Sequence, residues 1–322
     1  MDVLQRFQGA MVGLAVGDAL GTTLEFSAPG SFEPITDMQG GGHFGLKPGQ
    51  WTDDTSMALC LAESLIECGG FDPLDQMRRY CRWWREGHLS STGYCFDIGN
   101  TVADALRRFH LAGDPFSGRQ EAHYGGNGSL MRLAPIPLAY FTDPGMAISQ
   151  AALMSKTTHG APEPVDACRF YTGLIIGALQ GQSKTTLLEP LYSPPVSWLW
   201  DDEPLAERIA EVAVGSYQEK APPSIRGAGY VVQALEAALW AFHHSESFEE
   251  GALLAVNLGD DADTTGAIYG QLAGAYYGLE AIPSPWRDTL SHYTLLSDYA
   301  TGLYALALEG RAEALMSAVG ER

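Results

Sequence analysis

Trp51-Thr52-Asp53-Asp54-Thr55 leads straight into Met57, Ala58, Leu61, Leu65 and Ile66, apolar residues at helical spacing. Gly259-Asp260-Asp261-Ala262-Asp263-Thr264-Thr265-Gly266 leads in the same way into Ile268, Leu272 and Ala275. Each cluster of carboxylates and hydroxyls therefore falls at a helix N-terminus, where free backbone N–H groups and the positive end of the helix dipole favour acidic side chains. Taken singly, each is an ordinary helix cap, because Thr and Asp are common there. Taken together they point further. A cap uses one side-chain oxygen, and adjacent carboxylates repel unless something positive lies between them. If the two helix starts converge, Asp53, Asp54, Asp261 and Asp263 with Thr52 and Thr264 make an oxygen-only nest. Such a nest suits hard divalent cations, Mg²⁺ or Mn²⁺, with Ca²⁺ a further option.

The second cluster also begins like a helix–loop–helix calcium loop. Counted from Asp261, acids stand at the first and third positions and Gly266 at the sixth. The twelfth position is Leu272, where such a loop needs a bidentate Glu, and the helical pattern runs through the would-be loop. That reading is excluded.

Outward from these clusters the chain reads as helices. Gly9, Gly13, Gly17 and Gly21 recur every four residues among Met11, Val12, Leu14, Ala15 and Val16, which lines one helix face with small residues and lets another helix approach closely. Gly69-Gly70 stops the helix after the first acidic cluster, and Asp72-Pro73 starts the next, whose Tyr80, Trp83 and Trp84 read as core. Helical periodicity resumes at Leu205, at Tyr230 to Phe242, at Phe248 to Leu258 and from Trp286 onward. Strand alternation is scarce and no long period repeats. The expected fold is all-α: a single-domain orthogonal multi-helix bundle over residues 1–322, of roughly ten or more helices, with a metal cleft. Residues 182–204, with Ser193-Pro194-Pro195, Trp198, Trp200, Asp201 and Asp202, read as a loop insertion in that domain.

Composition narrows the function. Apolar residues make up 46% of the 322 and charged residues 18%, which supports a substantial core. The 39 acidic residues outnumber the 19 basic ones, for a formal net charge of -20, and argue against duplex nucleic acid as a partner. The five cysteines, Cys60, Cys68, Cys81, Cys95 and Cys168, include no Cys-x-x-Cys and read as free thiols in a reducing compartment. The apolar run Gly9 to Val16 meets Asp18 too soon for a membrane span and lacks the basic lead-in of a secretory signal. Cytoplasm is the expected location.

Other candidates are scattered along the chain. Glu25 is a single acid beside apolar neighbours, and it reads as an exposed loop residue as readily as a functional one. Asp97 precedes a helix capped at Asn100 or Thr101, where it either serves a turn or meets a ligand. Gly125-Gly126-Asn127-Gly128-Ser129-Leu130-Met131-Arg132 is a glycine-rich loop whose backbone N–H groups could cradle a diphosphate near Arg132, although a tight turn is the plainer reading. It is neither a Walker loop nor a dinucleotide fingerprint. Thr157-Thr158-His159-Gly160 places one histidine before a helix.

In this order, the motifs resemble the ADP-ribosylglycohydrolase family, most closely its dinitrogenase-reductase-activating and ADP-ribosylarginine hydrolase branch. The resemblance rests on Gly13 to Gly21, Glu25-Phe26, Lys47-Pro48-Gly49-Gln50 running into Thr52-Asp53-Asp54-Thr55, and Asp97-Ile98-Gly99-Asn100-Thr101. It continues through Gly126-Asn127-Gly128, Met131-Arg132, Thr158-His159 and Asp261 to Gly266. Asp260, where Gly is frequent, and the long 182–204 segment depart from the pattern.

The resemblance implies an all-α fold with two divalent cations, Mg²⁺ or Mn²⁺, held by Thr52, Asp53, Asp54, Asp261, Asp263 and Thr264. It also implies an ADP-ribose cleft lined by Glu25, Asp97, Asn100, His159 and the loop Gly126, Asn127, Gly128, Ser129, Leu130 and Met131. Asp97, with Glu25 as second choice, would activate water or shuttle protons. The expected activity is removal of ADP-ribose from arginine side chains of a modified protein by a monomeric enzyme. Rival linkages are to serine, a nucleobase or another ADP-ribose. Rival classes are a non-catalytic ADP-ribose-binding relative and a phosphohydrolase cutting the diphosphate.

Overall fold

A computed structural model describes residues 2–196, 200 and 202–320, with side chains as far as residue 310. Trp198 and Asp201 lie outside the described residues. The helical pattern becomes α1 (Val3–Gly21), α2 (Asp53–Cys68), α3 (Pro73–Glu86), α4 (Asn100–Ala112), α5 (Pro135–Ala139), α6 (Pro144–Lys156) and α7 (Pro162–Leu179). It continues as α8 (Lys184–Leu187), α9 (Glu207–Ala213), α10 (Val231–His243), α11 (Phe248–Val256), α12 (Ala262–Tyr277), α13 (Ser284–Thr289) and α14 (Tyr293–Gly320). Among the described residues the only β-pairing is three isolated bridges. The fold is all-α.

The glycine face of α1 finds a second glycine face on α12. A Cβ added at Gly17 would lie 2.0 Å from the carbonyl oxygen of Gly266, and one at Gly274 would lie 1.9 Å from that of Gly9. Gly13 and Gly270 meet in the same way between them. The helices therefore run antiparallel with their backbones in contact, an approach that a methyl group at these positions would force apart. Sequence reading found the first stripe and not its partner, Gly266, Gly270 and Gly274. One consequence is decisive for the site: the C-terminal end of α1 is pressed against the start of α12, so a Cβ at Gly21 would come within 2.3 Å of the Asp263 Cα. At the other end, the Arg6 guanidinium donates to the carbonyls of Ala178 (2.9 Å), Ala275 (2.9 Å) and Tyr276 (2.7 Å) and so closes the C-termini of α7 and α12.

Around this pair one core gathers side chains from both ends of the chain, from Phe7 and Leu14 to Leu296 and Leu303. Each such large apolar side chain contributes roughly 1.5–3 kcal/mol by leaving water. A smaller core joins α2, α3 and α4 through Met57, Tyr80, Trp83, Leu106 and Phe109, which fixes the start of α4 beside that of α2. The described part of 182–204 packs down as well: Leu187, Leu188 and Tyr192 are buried in the main core, and Lys184 Nζ donates to the Phe242 carbonyl at 2.9 Å. No helix among the described residues is long and apolar enough to cross a membrane.

Candidate active site

The two acidic helix starts meet. Thr52 Oγ1 lies 3.0 Å from Asp54 Oδ2 and 3.3 Å from Asp263 Oδ2, across 211 positions of sequence, and Thr264 Oγ1 lies 3.4 Å from Asp54 Oδ2. Neither start is a simple cap: Thr52 and Asp261 occupy the N-cap positions of α2 and α12, but neither side chain accepts a backbone N–H of its own helix.

The cap of α2 comes from α1. Asp18, fully buried, accepts the backbone N–H of Thr52 (2.9 Å) and of Thr55 (3.0 Å) and is bonded by both hydroxyls, at 3.0 and 2.6 Å. Sequence reading used this residue to rule out a membrane span and as part of the Gly13 to Gly21 motif, and gave it no role in the site. The available signal was its register: a lone carboxylate immediately after Gly17, on the face that α12 covers.

Thr52 has one hydroxyl proton and three carboxylates around it, so at least two of those contacts set lone pairs against each other. The cleft repeats this deficit. Asp97 stands close enough to Asp53 to share a proton, and so does Glu25 to Asp263. The buried oxygens Glu25 Oε2, Asp54 Oδ1 and Asp263 Oδ1 have no hydrogen-bond partner. No Lys or Arg lines the cavity among the described residues. Burial therefore pushes every carboxyl upward, and the neighbouring negative charges add to it. Glu25 rises to about 9 and Asp97 to about 7, while Asp53, Asp54 and Asp263 are held well above the usual carboxylate range. Asp18 rises only to about 6, because the Thr52 and Thr55 bonds stabilise its charged form.

An oxygen-only donor set with orphaned carboxylate oxygens fits a hard cation. Two groupings bring their donor atoms within 4.8 Å of one another: Asp18, Asp54 and Asp263, and Glu25, Asp97 and Asp263. Asp261 stands beside them with its Oδ2 taking the Asn127 side-chain N–H at 2.6 Å. The extra charge of Asp260 is directed to Arg226, 2.7 Å away.

The cavity above these groups measures about 450 Å³. Glu25, Asp53, Asp97, Asn100, Gly126, Asn127, Gly128, Met131, His159, Asp261, Asp263 and Thr264 all line it. Thr52 and Asp54 lie beneath its floor, joined to it by the contacts just described. Two expected wall residues are elsewhere. Ser129 is fully buried, accepting from Ser155 Oγ at 2.8 Å, and Leu130 belongs to the main core. The reason is the short turn itself, whose Leu130 and Met131 N–H groups bond back to the Asn127 carbonyl and turn the following side chains inward.

Arg132, expected near a diphosphate, is also buried. It donates to the Gly128 carbonyl and to Thr158 Oγ1 (2.6 Å), and its guanidinium stacks over Tyr80 at 5.0 Å. It shapes the loop from behind. Burial, reinforced by the Arg132 charge, pushes His159 down to about 3, so the ring is neutral. Thr158 Oγ1 accepts from Arg132, which leaves its own proton for His159 Nδ1, 2.8 Å away. With that proton given to Nδ1, the neutral ring carries its own on Nε2, the atom turned toward Gly126 and Gly128. Sequence reading also missed Phe26, Ile98 and Gly229 in the lining. Gly229, which accepts from the Asn127 N–H at 3.1 Å, had no local signal at all.

An all-α scaffold carrying a carboxylate-floored cleft with a glycine loop above it thus defines the class of the site. The sequence model of the ADP-ribosylglycohydrolase family matches residues 1–313, and the chain belongs to that family. It is 42% identical over 306 residues to the ADP-ribosylarginine hydrolase Tri1 of Serratia proteamaculans, covering 95% of this chain and 81% of that protein. Identity is also 42% to the ADP-ribosylarginine hydrolase Tri1 of Pseudomonas putida, over 89% of this chain and 75% of the relative. The ADP-ribosyl-[dinitrogen reductase] glycohydrolase of Rhodospirillum rubrum is 32% identical, over 89% of this chain and 91% of its own length. A solved structure described as an ADP-ribosylglycohydrolase-related protein complex superposes with a TM-score of 0.83 at 44% identity, covering 95% of this chain and 99% of that one.

Proposed function

We propose that this protein hydrolyses the N-glycosidic bond between ADP-ribose and the arginine side chains of modified proteins, with two divalent cations, Mg²⁺ or Mn²⁺, in the cleft. The observation that carries the reading is the pair of carboxylate groupings sharing Asp263, whose members Glu25, Asp54 and Asp263 each keep a buried oxygen without a partner, in a chain 42% identical to proteins named ADP-ribosylarginine hydrolase. Thr52, Asp53, Asp54, Asp261, Asp263 and Thr264 would hold the cations, with Glu25 and Asp97 beside them and Asp18 positioning Thr52 and Thr55 from behind. When bound, such ions orient ribose hydroxyls and lower the pKa of water.

The remaining work falls to the chain. Water adds its oxygen to the anomeric carbon, the bond from that carbon to the guanidine nitrogen breaks, and the nitrogen takes up a proton. Asp97, which lines the cleft beside Asp53, is suited to accept the proton of the attacking water and return one to the leaving group, with Glu25 as the alternative. Positive charge developing on the ribose ring meets a wall of carboxylates. Gly128 has a backbone N–H group with no acceptor among the described residues, and with His159 Nε2 it suits a diphosphate. The five thiols are all free, in keeping with the cytoplasm.

The test is incubation with arginine-, serine- and nucleobase-linked ADP-ribose, with and without chelator. Free ADP-ribose is expected from the arginine substrate alone, and only without chelator. Appearance of AMP would identify a phosphohydrolase and end the proposal.

A further inference from the structure

Phe26 is 61% exposed, and its backbone sits in the left-handed region at φ 60, held by a 2.7 Å bond from its N–H to the Asp260 carbonyl. An aromatic residue fixed in a conformation unfavourable to L residues, with its ring in solvent at the mouth of a cleft, asks for a functional reason. It does not stand alone. Its ring centroid lies 5.1 Å from His43 and 6.2 Å from Phe44, Phe44 lies 5.3 Å from Phe96, and Phe96 lies 5.9 Å from Tyr94, which is 62% exposed. The loop that presents His43 and Phe44 is pinned at its base by the Gly41–Leu46 bridge and by Thr23 Oγ1 donating to the Gly40 carbonyl at 3.0 Å. Two of the five rings are the immediate neighbours of the candidate catalytic carboxylates: Phe26 follows Glu25, and Phe96 precedes Asp97. Phe44 bridges them. Exposed apolar surface gathered in one place at a cleft mouth is characteristic of a contact site.

We propose that this aromatic rim is the acceptor subsite, which receives the guanidinium of the modified arginine against its rings; the inference rests on the arginine reading above. Position supports it. Past Gly126 and Gly229 the cleft continues into a second cavity of about 650 Å³, so the glycine-loop end has room for the nucleotide half of the substrate. The rim flanks Glu25 and Asp97, where the bond is cut and the other half must leave. Chemistry supports it as well. A guanidinium is planar, delocalised and weakly hydrated, and it stacks on aromatic faces, the more so where carboxylates add a negative field. A serine hydroxyl gains nothing from such a surface, so the rim selects the acceptor and not the ADP-ribose.

The experiment compares wild type with Phe26→Leu, Phe44→Leu and the double variant, because leucine keeps apolar bulk and removes the π-system. On an arginine-ADP-ribosylated protein, the double variant should lose about tenfold in kcat/KM, mainly through KM. Phe26→Trp should match or exceed wild type, and ADP-ribose affinity by calorimetry should stay unchanged in Phe44→Leu, whose ring lies outside the cleft lining. Leucine variants as efficient as wild type, or a loss of ADP-ribose affinity in Phe44→Leu equal to its loss of kcat/KM, would overturn the proposal. The single Phe44→Leu change guards against misfolding, since that residue has an ordinary backbone. Should wild type itself spare arginine-linked substrate and cleave another linkage, the arginine reading fails first and the rim's assignment falls with it.

Discussion

At the start of α2, the free N–H groups of Thr52 and Thr55 end on a carboxylate from another helix, Asp18. At the start of α12, Asp261 bonds Asn127 of the glycine loop, while its neighbour Asp260 is paired with Arg226 toward solvent. Two similar runs of Thr and Asp are thus supported in different ways. The cap of α2 is supplied from outside, which releases Asp53 to line the cleft and Asp54 to lie beneath its floor. The start of α12 is held by backbone contact with α1 and by a loop, which releases Asp263. What the pair teaches is that a cluster able to cap its own helix serves a ligand once something else does the capping.

The strongest way to break the comparison is to remove a facing acid. Asp263→Ala should lower ADP-ribose release from arginine-modified protein by about a thousandfold or more, since both carboxylate groupings lose a member. The helical CD spectrum should persist. Because a repelling buried charge has gone, cation-free thermal stability should hold or rise.

Asp18→Ala should behave in the opposite sense. It deletes four bonds to Thr52 and Thr55, so urea denaturation should show a loss of about 2 kcal/mol together with lost activity. Equal stability effects for Asp18→Ala and Asp263→Ala would erase the distinction between the capping and the facing acid.

A third test uses pH. Glu25 and Asp97 are raised from ordinary carboxylate values to about 9 and about 7, so between those limits the folded cation-free protein binds more protons than the unfolded chain. Its stability is then fully present below the unfolded values and is lost as pH rises through the folded ones. The midpoint of cation-free melting should fall steadily from pH 5 to pH 9, and Mg²⁺ or Mn²⁺ should flatten that slope. The smallest effect is expected from Arg226→Ala, whose ion pair with Asp260 is largely exposed: under about 1 kcal/mol in stability, with turnover nearly unchanged.

Sequence by itself determined the helical character, the acidic helix starts, the small-residue face of α1 and the oxygen-only chemistry, because each depends on neighbours within a turn or two. Periodicity and residue type are local properties, and they were legible for Asp53, Asp54, Asp261 and Asp263. The loop Gly126-Asn127-Gly128 was legible too, since its glycines mark a place where backbone stands open. What only the tertiary structure decided is which groups share one space. The match of Gly9, Gly13 and Gly17 to Gly274, Gly270 and Gly266 brings residues more than two hundred positions apart together. That match makes Asp18 a cap for a helix to which it does not belong. The turn at Asn127 directs Ser129, Leu130 and Arg132 away from the cleft, and the helices packed behind it bury them, though their place in the chain put them beside the cleft. Burial, which raises the carboxyls and leaves three oxygens unpaired, is a property of the assembled helices. No window of sequence carries it, because desolvation depends on everything that closes around a group.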